Sequence, residues 1–326
     1  MVVFGTAFSS CDDDIKNINP EDINSAYTYG PVYYQNLRNY KASDHEIAFG
    51  WFAEYGPQNS MAVRFMGLPD SLDICSLWGG IPTKKEVVEE MRFVQKVKGT
   101  KMLSVAITRI DAETDDKPFK AVYDEARADG DQDKINSALE LYADYFLDQV
   151  FDNDLDGFDA DYEPEGDYLS GDKFMVFYKR LAQFLGPNPD ITKEERLELI
   201  RERYGDDIAN QEGICDKMLC IDSPSSTPSG CADLSNYYFQ QSYGGRTGSV
   251  SGWPDSKVVH CENVGDYWKD SLSGLYSQAR WKPTSGGRKG GFGAFYIHRN
   301  YNVTETNIEP YYHFRRCIQI QNPSLY

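Results

Sequence analysis

The chain has 326 residues, with 33 Lys and Arg against 51 Asp and Glu, a formal net charge of −18 at pH 7. At 40% hydrophobic and 26% charged residues, its composition is that of a globular protein with a large core, not of a disordered chain. Its acidity excludes nucleic acid as the main partner, because a phosphate backbone is bound by a basic surface.

Residues 1–10, MVVFGTAFSS, are small or apolar and uncharged, and Cys11 follows, then Asp12, Asp13 and Asp14. This stretch resembles the end of a secretory signal at a lipidated cysteine. The acidic run behind it resembles the surface-export signal of outer-membrane lipoproteins in Bacteroides-like bacteria. Residues 1–40 are therefore read as a truncated lipoprotein signal, the lipidated Cys11 and an N-terminal linker, and residues 41–326 as one domain. The resemblance implies an outer-membrane, surface-exposed lipoprotein of a Gram-negative bacterium, touching the membrane through its lipid anchor only. The other six cysteines, Cys75, Cys215, Cys220, Cys231, Cys261 and Cys317, show no CxxC spacing and no zinc pattern, and sequence does not choose among their possible pairings.

Beyond the linker, short apolar runs alternate with amphipathic stretches. Ile47–Ala53 and Leu72–Trp78 read as the first two strands. Thr83 and Glu86 have capping-box spacing and predict a helix carrying Met91, Phe93 and Val94. Met102–Thr108 is the third strand, and residues 111–130 look like an insertion. Ile135, Leu139, Tyr142, Phe146 and Val150 recur at helical spacing before the fourth strand, Leu155–Glu163. Ser170 is placed to cap a helix with Phe174, Phe177, Leu181 and Leu185, closed by Gly186. Residues 187–213 look like a second insertion, with a Thr192–Glu195 capping box and a helix ending at Gly205. Lys217–Asp222, Tyr237–Tyr243, Lys257–Asn263 and Gly291–Ile297 complete eight strands. This alternation predicts an α/β fold, a (β/α)8 TIM barrel in a single domain with loop insertions. A doubly wound sheet is disfavoured by the lack of a glycine-rich phosphate loop after the first strand.

The fourth strand reads Leu155-Asp156-Gly157-Phe158-Asp159-Ala160-Asp161-Tyr162-Glu163-Pro164. Strand alternation puts Asp159, Asp161 and Glu163 on one face and Phe158, Ala160 and Tyr162 on the other. Three aligned carboxylates on a buried strand repel one another, so the pKa of at least one is raised, and a fold tolerates this chiefly where the charges do chemical work. A barrel site lies at the C-terminal strand ends, which places Glu163 closest to substrate. The high aromatic content, 14% with 23 Tyr, suits carbohydrate, whose faces stack on flat rings.

Asp156–Glu163, DGFDADYE, resembles the DGxDxDxE signature of glycoside hydrolase family 18, and it falls on the fourth strand, as in that family. The family includes chitinases and the endo-β-N-acetylglucosaminidases that release N-glycans. By this resemblance Glu163 is the general acid/base, and no second carboxylate serves as nucleophile. The substrate's own 2-acetamido oxygen attacks the anomeric carbon, with retention, and Asp161 holds the acetamide N–H. Asp159 supports Asp161 by sharing its proton, and Tyr243 meets the acetamide carbonyl. The mechanism requires an N-acetylated sugar and neither cofactor nor metal.

Parity on the sixth strand puts Gln241 on the face of Tyr243, where it can bond the same sugar. Ala294 shares a face with Tyr296, which makes Tyr296 a candidate sugar platform. Trp51 and Trp78 are further candidates for substrate contact. Asp222 and Glu262 are candidates for binding hydroxyls, as are the loop residues Trp253, Trp268 and Trp281 for stacking. His260 reads as a satisfied barrel histidine. Chitinases of the family usually carry SxGG on the third strand and a Trp ending the eighth. Here Ser104-Val105-Ala106-Ile107 and Phe295-Tyr296-Ile297 stand there. Both departures lean toward the endoglycosidase branch, acting on the chitobiose core of N-glycans. A chitinase and a non-catalytic glycan-binding lipoprotein are the alternatives. N-glycans or other GlcNAc-containing oligosaccharides are the expected partners, and the protein is expected to be a monomer.

Overall fold

The computed structural model describes residues 29–57, 60–113, 116–166 and 168–323. The expected lipidation site, Cys11, lies outside them. Eight parallel strands close into a barrel in chain order: β1 Ile47–Phe52, β2 Ile74–Leu77, β3 Lys101–Ile107, β4 Gly157–Asp161, β5 Met218–Ser223, β6 Tyr237–Gln241, β7 Val258–Asn263 and β8 Gly291–Phe295. Side chains alternate across the barrel wall. Phe49, Trp51, Ile74, Leu103, Phe239 and Val259 fill the interior. Ala48, Phe52, Leu77, Phe158, Ala160, Ile221 and Phe292 face outward into the main core beneath the helices.

The α-helices longer than one turn are, among the described residues, α1 Pro31–Ala42, α2 Lys85–Arg92, α3 Pro118–Asp129, α4 Gln132–Asp152, α5 Gly171–Phe184, α6 Lys193–Tyr204, α7 Ser273–Arg280 and α8 Tyr312–Gln321. The ring is uneven. Among the described residues, the β1–β2 connection holds only the 3-10 turns Met61–Val63 and Phe65–Gly67, the β5–β6 connection one helical turn, Cys231–Leu234, and the β6–β7 connection a 3-10 turn, Asp255–Lys257. Gly244, Gly245, Gly248, Gly252 and Pro254 explain the last case, since such residues break helices. The first predicted insertion holds α3, which forms a hairpin with α4. The second holds α6, fastened by Arg196, whose guanidinium donates to the carbonyls of Gly186 at 2.6 Å and Cys215 at 3.1 Å.

The predicted linker runs into a helix at residue 31. α1 packs on the barrel, with Arg38 donating to the Val97 carbonyl at 2.7 Å. The Thr192–Glu195 capping box forms. The Thr83–Glu86 box does not, because α2 starts one residue later than that spacing requires, with Lys84 at its cap. Ser170 occupies the cap position of α5 without a side-chain bond. The six described cysteines are all free and buried.

Candidate active site

β4 begins with Gly157 because no side chain fits there: a Cβ would stand 2.1 Å from the Met218 carbonyl oxygen of β5. This close approach accompanies a register that pairs Asp159 with Cys220 and Asp161 with Asp222. Partners in a parallel pair point to the same side of the sheet, so Asp161 and Asp222 enter the barrel in one layer. Pairing continues one residue past the strand, where the Tyr162 N–H donates to the Asp222 carbonyl at 2.8 Å. Glu163 thus comes to the mouth, half-buried, with Pro164 ending the run.

Among the described residues, only neutral donors serve these carboxylates. Trp51 Nε1 and Ser76 Oγ both donate to Asp159 Oδ2, at 3.1 and 2.8 Å. Gln241 Nε2 faces Asp222 Oδ1 at 2.7 Å, Asp161 Oδ1 at 3.3 Å and Glu163 Oε1 at 3.5 Å. All three neighbours are acceptors, which fixes the amide with its nitrogen toward them. Burial pushes the Asp159 carboxyl up to about 7. Burial and the adjacent Glu163 push Asp161 up to about 8. Asp222, fully enclosed beside Asp161 and Asp159, lies well above the usual carboxylate range for the same two reasons, burial foremost. The cluster therefore holds protons at neutral pH.

The structure gathers Asp159, Asp161, Glu163 and Gln241 as the strand pattern predicts, and Tyr243 stands at the mouth beside Phe295, ring centroids 6.3 Å apart. Several expectations change. Trp51 is a candidate for substrate contact by sequence, but it is 1% exposed with its N–H turned to Asp159, so it supports the carboxylates from below. Asp222 is expected to bind sugar hydroxyls, but it too is 1% exposed and belongs to the carboxylate cluster. Tyr296 is expected on the sugar platform, but Ala294 packs in the outer core and Tyr296 leaves the strand in a left-handed conformation, φ 52°. Its ring lies against His298 and the Arg299 guanidinium. The interior position falls to Phe295, near Trp78 at 5.4 Å and Trp51 at 6.1 Å. Gly291 and Gly293, inward on the same strand, are the available signal: a Cβ at Gly293 would meet the Phe49 ring at 2.8 Å. Ser76 gives no such signal, because a lone serine in an apolar strand carries no pattern.

The end of β6, which carries Gln241 and Tyr243, is fastened from outside. Gln278 of α7 donates to the carbonyls of Ser242 at 3.0 Å and Cys261 at 3.2 Å. Glu262 is spent on backbone, accepting from the N–H groups of Gly244 at 2.9 Å and Asn263 at 2.8 Å. His260 bridges Ser242 Oγ, at 3.1 Å, and the Gly248 N–H, at 3.4 Å. Burial and the nearby Lys289 push its imidazole down to about 4, so it is neutral there. Trp253 stacks on Tyr238 on the outer face of the barrel, away from the mouth.

A barrel with a half-buried carboxyl at its mouth, protonated carboxyls beneath it and an aromatic floor is suited to acid-catalysed cleavage of a glycoside. Residues 11–252 match the model of glycoside hydrolase family 18, BT1044-like. The chain belongs to that family and is a glycoside hydrolase acting on glycans. It is 26% identical to endo-β-N-acetylglucosaminidase F2 of Elizabethkingia meningoseptica over 318 residues, covering 87% of this chain and 82% of that protein. Its fold is similar to that of BT1044, with a TM-score of 0.68 and 21% identity over 94% of this chain and 95% of that one. It is also similar to an endo-β-N-acetylglucosaminidase of Cordyceps militaris, with a TM-score of 0.61 and 20% identity over 91% of this chain and 97% of that one.

Proposed function

We propose that this chain is a retaining endo-β-N-acetylglucosaminidase that hydrolyses the GlcNAc-β1,4-GlcNAc bond in the chitobiose core of N-glycans. The observation that carries the reading is the placement of Glu163 at the mouth directly above Asp161, with Gln241 bridging the two. Glu163 donates its proton to the leaving glycosidic oxygen and later takes one from water. Asp161, one layer below, orients the acetamide through its N–H, so that the acetamide oxygen attacks the anomeric carbon. Its negative charge stabilises the positive charge of the oxazolinium intermediate. Phe295, Trp78 and Tyr243 form the apolar surround of the cleaved sugar. The preference for N-glycans over chitin is supported by similarity to endo-β-N-acetylglucosaminidase F2 and by the sequence at the end of β8, Phe295-Tyr296-Ile297, which has no Trp.

The test is incubation with N-glycoproteins and chitin oligomers, read by mass spectrometry, beside Glu163→Gln. The expected products are a protein retaining one GlcNAc and a free glycan ending in GlcNAc. Glu163→Gln keeps the shape but has no proton to give, and is expected to lose a factor of about 10²–10⁴ in kcat. Cleavage of chitin oligomers alone would replace this reading with a chitinase. Undiminished hydrolysis by Glu163→Gln would remove Glu163 from the mechanism.

A further inference from the structure

Asp161 needs a partner that can take its proton when it turns toward substrate as a carboxylate. Within its own strand the candidate is Asp159, two residues back. The structure gives Asp159 other duties. Its Oδ2 is fixed by Trp51 and Ser76, and it acts on Asp161 through its charge without a hydrogen bond. The carboxyl in hydrogen-bond reach of Asp161 is Asp222, across the β4–β5 register. Asp222 is also in reach of Asp159. It is fully enclosed, its Oδ1 accepts from Gln241 at 2.7 Å, and its Oδ2 is buried without a donor. Asp159 Oδ1 is likewise buried without a donor. Two buried carboxylate oxygens with no donor among the described residues, in a layer of three carboxyls, are satisfied when the carboxyls share protons with one another.

We propose that Asp222 is a positioning residue that exchanges a proton with Asp161 during catalysis. This rests on the substrate-assisted reading above. Before substrate binds, the Asp161–Asp222 pair holds one proton, shared between the two carboxyls. When the acetamide N–H donates to Asp161, the Asp161 O–H bond breaks and an O–H bond forms on Asp222. The pair keeps one proton and one negative charge throughout, and no proton passes to solvent. When water opens the oxazolinium ring, the proton returns. The other groups facing Asp222 fit a site that keeps its proton. They are Asp159 and Asp161 from β4, Tyr243 from the end of β6, Cys220 on its own strand and Cys261 from β7. None is a cation. Gln241 locks the arrangement, because its amide bonds Asp222 and Asp161 together.

The decisive measurement counts protons and does not depend on turnover. Glu163→Gln is titrated with an uncleaved N-glycopeptide in buffers of different ionisation enthalpy, and calorimetry reads the protons exchanged per ligand bound. Between pH 5 and 7 the expected exchange is close to zero. In the double variant Glu163→Gln/Asp222→Asn, the introduced amide cannot accept a proton, and up to one proton per ligand is expected to reach solvent. With Glu163 intact, Asp222→Asn is expected to lower kcat about 10- to 100-fold with KM within about threefold. It is also expected to move the acid limb of the pH profile upward by about one unit, because Asp161 then ionises without a carboxylate to share its proton. Asp159→Asn is expected to shift that limb less. The proposal is overturned if Glu163→Gln alone releases a proton, if adding Asp222→Asn changes nothing, or if Asp159→Asn and not Asp222→Asn moves the limb. Should Asp222→Asn fail to fold, the exchange measured on Glu163→Gln alone still decides. Failure to bind any N-glycopeptide or chitobiose would instead bring down the substrate reading.

Discussion

Asp159 is enclosed by the barrel, holds its proton more tightly than an exposed aspartate, and so makes the stability of the fold depend on pH. An unfolded Asp titrates near ~4, whereas burial moves Asp159 to about 7 in the native chain. Between those values the native state binds more protons than the unfolded one, so stability falls as pH rises from ~4 to ~7 and levels off above. Asp159→Asn keeps an oxygen to accept from Trp51 and Ser76 and cannot ionise. Its Tm relative to the parent is expected to rise across that window, by an amount corresponding to a few kcal/mol. A Tm difference that stayed constant from pH 4 to pH 8 would mean that Asp159 is ionised in the native protein. At this scale much of the site is legible in sequence. Asp159, Asp161 and Glu163 declare themselves because strand period is two, and Gln241 and Tyr243 follow by the same parity. Asp222 does not, because its meaning depends on the β4–β5 register, which local pattern cannot supply. Trp51 shows the same limit: parity gives its inward direction, and its depth comes only from the closed barrel.

Strand boundaries are legible because apolar runs of strand length are separated by amphipathic stretches. Strand ends are less so. On β8, alternation puts Phe295 inward with Gly291 and Gly293, and the chain leaves the strand at Tyr296 in a left-handed conformation. Three missing or vestigial helices are hidden for a related reason, since a connection's length does not say whether its glycines and prolines let a helix form. The signature glycine has an element-level role of its own. Gly157 lets the β5 backbone approach β4 closely enough for Asp222 to reach Asp161. Gly157→Ala would press a methyl group into the Met218 carbonyl and push the two strands apart. The expected cost is about 3 kcal/mol or more, in the range of severe steric substitutions, read as a drop in the denaturant midpoint. Any folded fraction should show loss of kcat beyond that of a merely destabilised barrel. A Gly157→Ala protein of parental stability and activity would mean that strand spacing does not set the site.

The fold collects its functional groups at one end of the barrel while the acidic charge belongs to the whole chain, and the two together bear on which glycans approach. A net charge of −18 produces a field that slows encounter with anionic ligands and leaves neutral ones alone. Salt shortens its reach, from about 10 Å at 0.1 M to about 3 Å at 1 M. N-glycans capped with sialic acid carry negative charge, and their trimmed counterparts do not. For glycopeptides matched in every other respect, kcat/KM on the sialylated form is therefore expected to rise about threefold or more between roughly 20 mM and 500 mM NaCl. The neutral form is expected to change by less than about 1.5-fold. The effect belongs in kcat/KM, because at saturation the ligand has already crossed the field. Equal salt response from both substrates would show that the acidic residues lie away from the path to the mouth. A fall in the sialylated rate with salt would show a local cationic patch there that outweighs the charge of the whole.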